Sequence, residues 1–232
     1  MATEPFRIGF LLFPNLTQLD LTGPFEVLSK APGAEVHLVW KTLDTIRDNS
    51  GLMIAPSTTF AGCPRLDVIC VPGGPGVSAV MEDPEAIAFL RQQAATARYV
   101  TSVCTGSMVL AAAGLLKGKR AACHWMSRDL LKEFGAIPVA DRVVRDGNII
   151  TGGGVTAGID FGLTMLAEVA GRDVAEMVQL RIEYNPQPPF ASGSPDSARS
   201  EIRDQLTSLS APLQKARLEQ AQRLGAKVMA AD

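Results

Sequence analysis

Cys104 is the residue of this sequence best placed for covalent chemistry. It stands in Ser102-Val-Cys104-Thr105-Gly106, where a β-branched apolar run passes directly into the small residues Thr105 to Ala113. A sharp strand-to-helix turn of this kind lifts a nucleophile out of a sheet and needs small neighbours to avoid clashes. Gly106 meets that need two residues after the cysteine, whereas Ser102 stands where such elbows usually carry glycine two residues before it. A cysteine at a helix start meets the partial positive charge of the helix end, which favours the thiolate and lowers the thiol pKa. Backbone amides there also stabilise developing negative charge, and the N–H groups of Thr105 and Gly74 are the expected pair of donors. Cys63, Cys70 and Cys123 lack the elbow and read as small buried hydrophobes, the ordinary role of a cytosolic cysteine.

Other strand ends carry the companions such a thiol needs, because sites in open α/β sheets form beyond the carboxyl ends of the strands. Phe13-Pro14 leads through a short loop to Asp20, a candidate acid-base carboxyl whose plainer role is to cap a helix. Val71-Pro-Gly-Gly74 is a glycine-lined turn. Gly152-Gly-Gly154 mimics a dinucleotide fingerprint, but it falls late in the chain with no following βαβ unit to supply a ribose-binding acid. These glycines read instead as a close backbone approach to the Cys104 pocket, with Gly153 nearest. His124 is the only downstream histidine, twenty residues after the cysteine, and as a base it competes with a purely structural role. With two histidines and no C-x-x-C pair, no metal-ligand cluster is expected by spacing.

The elements that must hold these residues alternate. Strands are expected at residues 7–13, 35–40, 67–71, 98–104, 120–124, 139–144 and 148–151. Helices are expected at 20–29, 83–97 with Pro84 at its first position, 105–113, 127–134 and 156–170, and an antiparallel excursion at 45–60. Right-handed crossovers then give an α/β, flavodoxin-like three-layer sandwich around a mostly parallel sheet, with helices on both faces and a nucleophile elbow. A Pro/Gly/Ser loop over 185–197 leads to a helical extension, 198–229, that should pack on the body of a single domain spanning 1–232.

With these motifs in hand, the chain resembles the ThiJ/PfpI branch of the class I glutamine amidotransferase-like superfamily, and within it the isocyanide hydratases. The resemblance rests on Phe-Pro…Leu-Asp20-Leu-Thr-Gly-Pro, Val-Pro-Gly-Gly74, Tyr99-Val-Thr-Ser-Val-Cys-Thr-Gly-Ser107, Thr151-Gly-Gly-Gly-Val-Thr-Ala-Gly-Ile-Asp-Phe161 and Pro188-Pro-Phe-Ala-Ser-Gly-Ser-Pro-Asp196. PfpI-type hydrolases often carry histidine directly after the cysteine, where this chain has Thr105. The parkinsonism-associated protein and its glyoxalase-like relatives use an acidic residue of the first loop, a glutamate where this chain has the shorter Asp20. The resemblance implies a cofactor-free, cysteine-dependent hydratase in which Cys104 attacks an isocyanide. Asp20 would then move protons, and Thr105 would hold the water or the carboxyl through its hydroxyl. It also implies a homodimer.

Composition narrows the alternatives. The chain has 232 residues, 47% hydrophobic and 20% charged, with a net charge of -2 and no run of like charges, so it can bury a substantial core but offers nucleic acid or an anionic membrane no electrostatic hold. No apolar stretch approaches a membrane span, and the segment Met1 to Arg7 shows no secretory signal, so a cytoplasmic protein is expected. Two other functions stay open beside the hydratase. One is a different small-electrophile enzyme of glyoxalase type. The other is a non-catalytic thiol sensor, or the sensing half of an AraC-like regulator, although only one long helical pattern follows Tyr184 where a DNA-reading half would stand.

Overall fold

The computed structural model describes residues 5–230, so residues 1–4 of the N-terminal segment lie outside the described residues. In chain order its elements are β1 (Phe6–Leu11), α1 (Gln18–Leu28), β2 (Ala34–Trp40), β3 (Ile46–Arg47), β4 (Met53–Ile54), β5 (Thr58–Thr59), β6 (Val68–Val71), α2 (Val77–Met81), α3 (Pro84–Ala94), β7 (Tyr99–Val103) and α4 (Gly106–Ala112). The remainder are β8 (Arg120–Ala121), a 3₁₀ helix (Arg128–Phe134), β9 (Ile137–Pro138), β10 (Val143–Asp146), β11 (Ile149–Gly152), α5 (Ala157–Ala170), α6 (Arg172–Arg181) and α7 (Ser200–Met229).

Seven strands form the main sheet in the order β10-β11-β7-β6-β1-β2-β5. All neighbours are parallel except β10 and β11, which form an antiparallel edge. The continuous apolar runs of β1, β6 and β7 follow from this position, since a central parallel strand is covered on both faces; Ile8, Phe10, Ile69 and Val103 are fully buried. Helices α1, α5 and α6 pack together, as do α2, α3, α4 and α7. The result is the expected α/β sandwich. Because β11, β7, β6 and β1 are adjacent, the loops leaving their carboxyl ends converge, and those loops carry Gly153, Cys104, Gly73–Gly74 and the approach to Asp20.

Local signals set several boundaries. Asp83 caps α3 by accepting the N–H groups of Glu85 and Ala86, with Pro84 in the first turn, where its missing N–H costs nothing. Helix α1 begins earlier than expected, after Thr17, so Asp20 lies inside its first turn and is not the cap.

The expected strand at 120–124 is cut to Arg120–Ala121, which pairs with β9 in a separate two-stranded sheet. The Ala122 N–H bonds the Thr151 hydroxyl at 2.7 Å instead of extending a ladder. The helix expected at 127–134 is a 3₁₀ helix, Arg128–Phe134, and the strand expected at 139–144 is displaced to β10. The excursion at 45–60 contains the antiparallel pair β3 and β4, while β5 joins the main sheet parallel to β2. Helices α2 and α6 were not expected. Helix α6 buries only Ala175 and Val178, too narrow a stripe to give a helical period in the sequence. Among the described residues, no helix is long and apolar enough to cross a membrane.

Candidate active site

Cys104 has φ +59°, the left-handed conformation that L residues rarely adopt, and its side chain is almost wholly buried. The strain is held in place from both sides. Its N–H donates to the carbonyls of Gly153 at 2.8 Å and Gly152 at 3.1 Å, tying the elbow to the end of β11. On the far side, a Cβ at position 106 would collide with the Val71 carbonyl oxygen, so only glycine lets α4 start this close to β6. Ser102, in the place of the usual elbow glycine, is buried and hydrogen-bonded to Ser107 at 2.8 Å; Ser107 donates on to the Ala122 carbonyl at 2.6 Å. A serine is tolerated because its hydroxyl is satisfied inside the core.

Asp20 is completely buried. Its Oδ2 accepts the Gly73 N–H at 3.0 Å, and the Cys104 thiol acts on the carboxyl as a donor would, but Oδ1 has no fully formed hydrogen bond. Burial dominates its titration: loss of hydration pushes the carboxyl up to about 7, against smaller opposing effects of Cys104 and the Gly73 N–H. The Gly73 Cα is the floor of this arrangement. A Cβ there would fall 2.6 Å from the Thr105 nitrogen, 2.7 Å from its Oγ1 and 2.8 Å from Asp20 Oδ2. The three polar atoms therefore converge over a backbone that has no side chain.

The thiol departs from expectation. Burial raises its pKa well above the ordinary value, the neighbouring Asp20 and Cys123 charges add to the rise, and the N–H groups of Thr105 and Val155 oppose it. The helix-end effect is present, but desolvation outweighs it, so the resting sulfur is a protonated thiol and not the expected thiolate.

The donor pair is also corrected. The Gly74 N–H is spent on Thr105 Oγ1 at 3.0 Å, and the amide that joins Thr105 at the sulfur is that of Val155. The Thr105 hydroxyl makes no helix-capping bond, and its hydrogen bonds run to Gly74. Gly153 lies beside the elbow through its carbonyl and also lines a cleft of about 410 Å³, with Cys123, His124, Trp125 and Val155 among its walls.

His124 is on that wall. Burial and the nearby Arg217 charge both lower its pKa, leaving a neutral ring whose Nδ1 accepts the Met126 N–H at 3.4 Å. Cys70 and Cys123 are buried and Cys63 is partly buried, with Cys70 and Cys123 both pushed up to about 12 by desolvation. Among the described residues, no three His, Cys, Asp or Glu side chains cluster to hold a metal ion. Two participants escaped the sequence reading. Val155 follows the glycine run that was singled out: Gly153 makes the close backbone approach through its carbonyl, and Val155, two residues on, adds an N–H at the sulfur. Arg217, buried beside the site, had no local signal at all.

Comparison with known proteins gives concordant relationships. The profile of the DJ-1/PfpI family matches residues 6–168. The chain is 60% identical over 222 residues to an isonitrile hydratase of Pseudomonas putida, covering 96% of this chain and 97% of that protein. A solved ThiJ/PfpI family protein of Pseudomonas syringae superposes with a TM-score of 0.91 at 46% identity, covering 95% of this chain and 90% of the other. The HTH-type transcriptional regulator GbdR of Pseudomonas aeruginosa is 32% identical over 190 residues, which cover 78% of this chain but only 51% of the regulator.

Proposed function

The chain belongs to the DJ-1/PfpI family, and from that premise we propose that it is an enzyme that hydrates isocyanides to N-substituted formamides through a covalent thioimidate on Cys104. Isonitrile is a synonym of isocyanide, so the Pseudomonas putida relative carries the same activity in its name. The observation that carries the reading is the juxtaposition of a strained, protonated thiol with a buried carboxyl that titrates near neutrality.

That pair suits the reaction. The terminal carbon of R–N≡C accepts a nucleophile only as a proton is delivered, so a neutral thiol and a neutral carboxyl are the competent partners. The sulfur attacks the carbon, forming the S–C bond. Asp20 delivers a proton to that carbon and recovers the thiol proton, giving Cys104–S–CH=N–R. Water then attacks the same carbon as Asp20 gives its proton to the thioimidate nitrogen and takes one from the water, leaving Cys104–S–CH(OH)–NH–R, whose hydroxyl proton is the one that leaves in the next step. Collapse breaks the C–S bond, returns a proton to the sulfur and releases R–NH–CHO; the sum is one isocyanide plus one water. The amides of Thr105 and Val155 stabilise charge on the sulfur during attack and departure. Thr105 serves through that amide and through its clamp on Gly74, and the R group extends from the sulfur past Gly153 and Val155, which flank the elbow and border the neighbouring cleft, a cleft that Cys104 itself does not line. The chemistry invokes no metal or organic cofactor.

The proposal includes a homodimer. Ile202, Leu206, Leu209 and Leu213 form an exposed stripe along one side of α7, which supports that face as the contact. The hydratase reading is tested by incubating the purified, reduced protein with a simple aryl isocyanide and following the N-substituted formamide. Catalytic formation, lost in Cys104→Ala, supports it; a folded protein giving no formamide above the uncatalysed rate overturns it.

A further inference from the structure

Arg217 is the one arginine that α7 sends into the protein interior, and it is only 6% exposed. Its Nη1 donates to the Ser127 hydroxyl at 3.2 Å and its Nη2 to the Gly74 carbonyl at 3.3 Å, while Nε has no partner. Among the described residues no carboxylate pairs with it. A buried cation without a counter-ion is costly to keep, and a fold retains one where negative charge has to be met. Arginine also cannot shed its charge, so the cost is not avoided by deprotonation.

One bond of Arg217 leads to the nucleophile, and the other anchors the guanidinium. The Gly74 carbonyl that it holds also accepts the Thr105 hydroxyl at 3.4 Å, and the Gly74 N–H returns to Thr105 Oγ1 at 3.0 Å. Thr105 in turn directs its own N–H at the Cys104 sulfur. The anchoring partner, Ser127, also donates to Gln214 Oε1 at 3.0 Å, tying α7 to the start of the 3₁₀ helix. We propose that Arg217 is a positioning residue for the Cys104 nucleophile, locking Gly74 and Thr105 in register and supplying the uncompensated positive charge that meets negative charge as it develops on the sulfur during attack and departure.

This rests on Cys104 being the nucleophile, not on the identity of the electrophile. The mutual attraction between this guanidinium and the sulfurs of Cys104 and Cys123 agrees with it. Among the described residues, the charges of Asp20 of α1 and Cys123 after β8 act on the thiol; Arg128 of the 3₁₀ helix and Arg217 act on Cys123, Arg217 acts on His124, and Asp20 acts on Cys70 of β6.

The test is the rate of Cys104 alkylation by iodoacetamide from pH 6 to 10, read on the Cys104 peptide by mass spectrometry, with folding checked by circular dichroism. Arg217→Gln should move the profile up by about one pH unit, a roughly tenfold slower reaction at pH 8. Arg217→Lys keeps the charge but not the fork, and should keep the wild-type profile to within about threefold. Ser127→Ala removes the second anchor only and should leave the profile in place. If Arg217→Gln folds and reacts like wild type, or if the lysine and glutamine variants are equally impaired, the assignment is overturned. Should Arg217→Gln fail to fold, the lysine variant decides: a profile displaced like that of an uncharged thiol environment, by a unit or more, refutes it, and an unmoved profile supports it. No isocyanide enters this assay, so absence of formamide with the alkylation pattern intact would count against the hydratase reading alone.

Discussion

Gly74 and Thr105 exchange hydrogen bonds across the site: the Gly74 N–H donates to Thr105 Oγ1 at 3.0 Å, and the hydroxyl donates back to the Gly74 carbonyl at 3.4 Å. A hydroxyl next to the nucleophile is thereby committed to holding the glycine turn beside the elbow. Thr105→Val would leave a buried N–H unsatisfied and should lower stability by about 1–3 kcal/mol, with Thr105→Ser restoring most of the loss. Urea denaturation of the three proteins measures this, and equal stability of the valine and serine forms would show the exchange to be unimportant.

The Asp20 carboxyl predicts the pH dependence of turnover. If it must carry its proton to deliver it to the isocyanide carbon, kcat/KM should fall as pH rises through about 7, the value to which burial has pushed it. Stopped-assay rates between pH 5 and 9 check this. A rate that climbs through the same range would point to a thiolate and an ionised carboxylate as the working forms.

The same carboxyl predicts a cost to stability. An aspartate ionises near 3.8 when exposed but near 7 here, so between those values the unfolded chain has released a proton that the folded chain still holds. Stability therefore falls as pH rises across that window, by an order-of-magnitude total of ~4 kcal/mol at pH 8. Asp20→Asn keeps an oxygen for the Gly73 N–H and removes the titration. It should be inactive yet more resistant to urea than wild type at pH 8, with the difference closing toward pH 4.

Gly106 admits no side chain against the Val71 carbonyl. Gly106→Ala should cost roughly 3 kcal/mol and lower Tm by about 6–12 °C, with loss of thiol reactivity as α4 shifts away from β6. A variant that melts with wild type would mean that the elbow tolerates relaxation.

Leu209 is 74% exposed on α7, so its replacement tests assembly without disturbing the core. Leu209→Glu should convert a dimer to monomers in sedimentation while leaving the melting temperature of the subunit fold nearly unchanged.

Much of this arrangement was legible in the sequence because it is local. The apolar runs at Ile8 and Val68, the glycines of the Val71–Gly74 turn, and the passage from Val103 into Thr105 each declare a strand, a turn or an elbow within a few residues. What escaped depends on distance in the chain. Desolvation of Cys104 comes from elements packed over it, so the helix-end argument correctly named one influence and missed the larger. The Gly74 N–H looked available until Thr105 was seen to occupy it. Arg217 is indistinguishable in sequence from Arg203 and Arg223, which stay on the surface of the same helix; only the packing of α7 selects it.

The measurement that bears most directly on the Cys104–Asp20 account is a single-turnover experiment with enzyme in excess over an aryl isocyanide, quenched in acid and analysed as intact protein and as peptides. A transient mass gain equal to one substrate molecule, confined to the Cys104 peptide, rising before the formamide and absent from Asp20→Asn, is the predicted result. Formamide appearing at the wild-type rate with no adduct at any time, or from Cys104→Ala, would contradict the covalent mechanism.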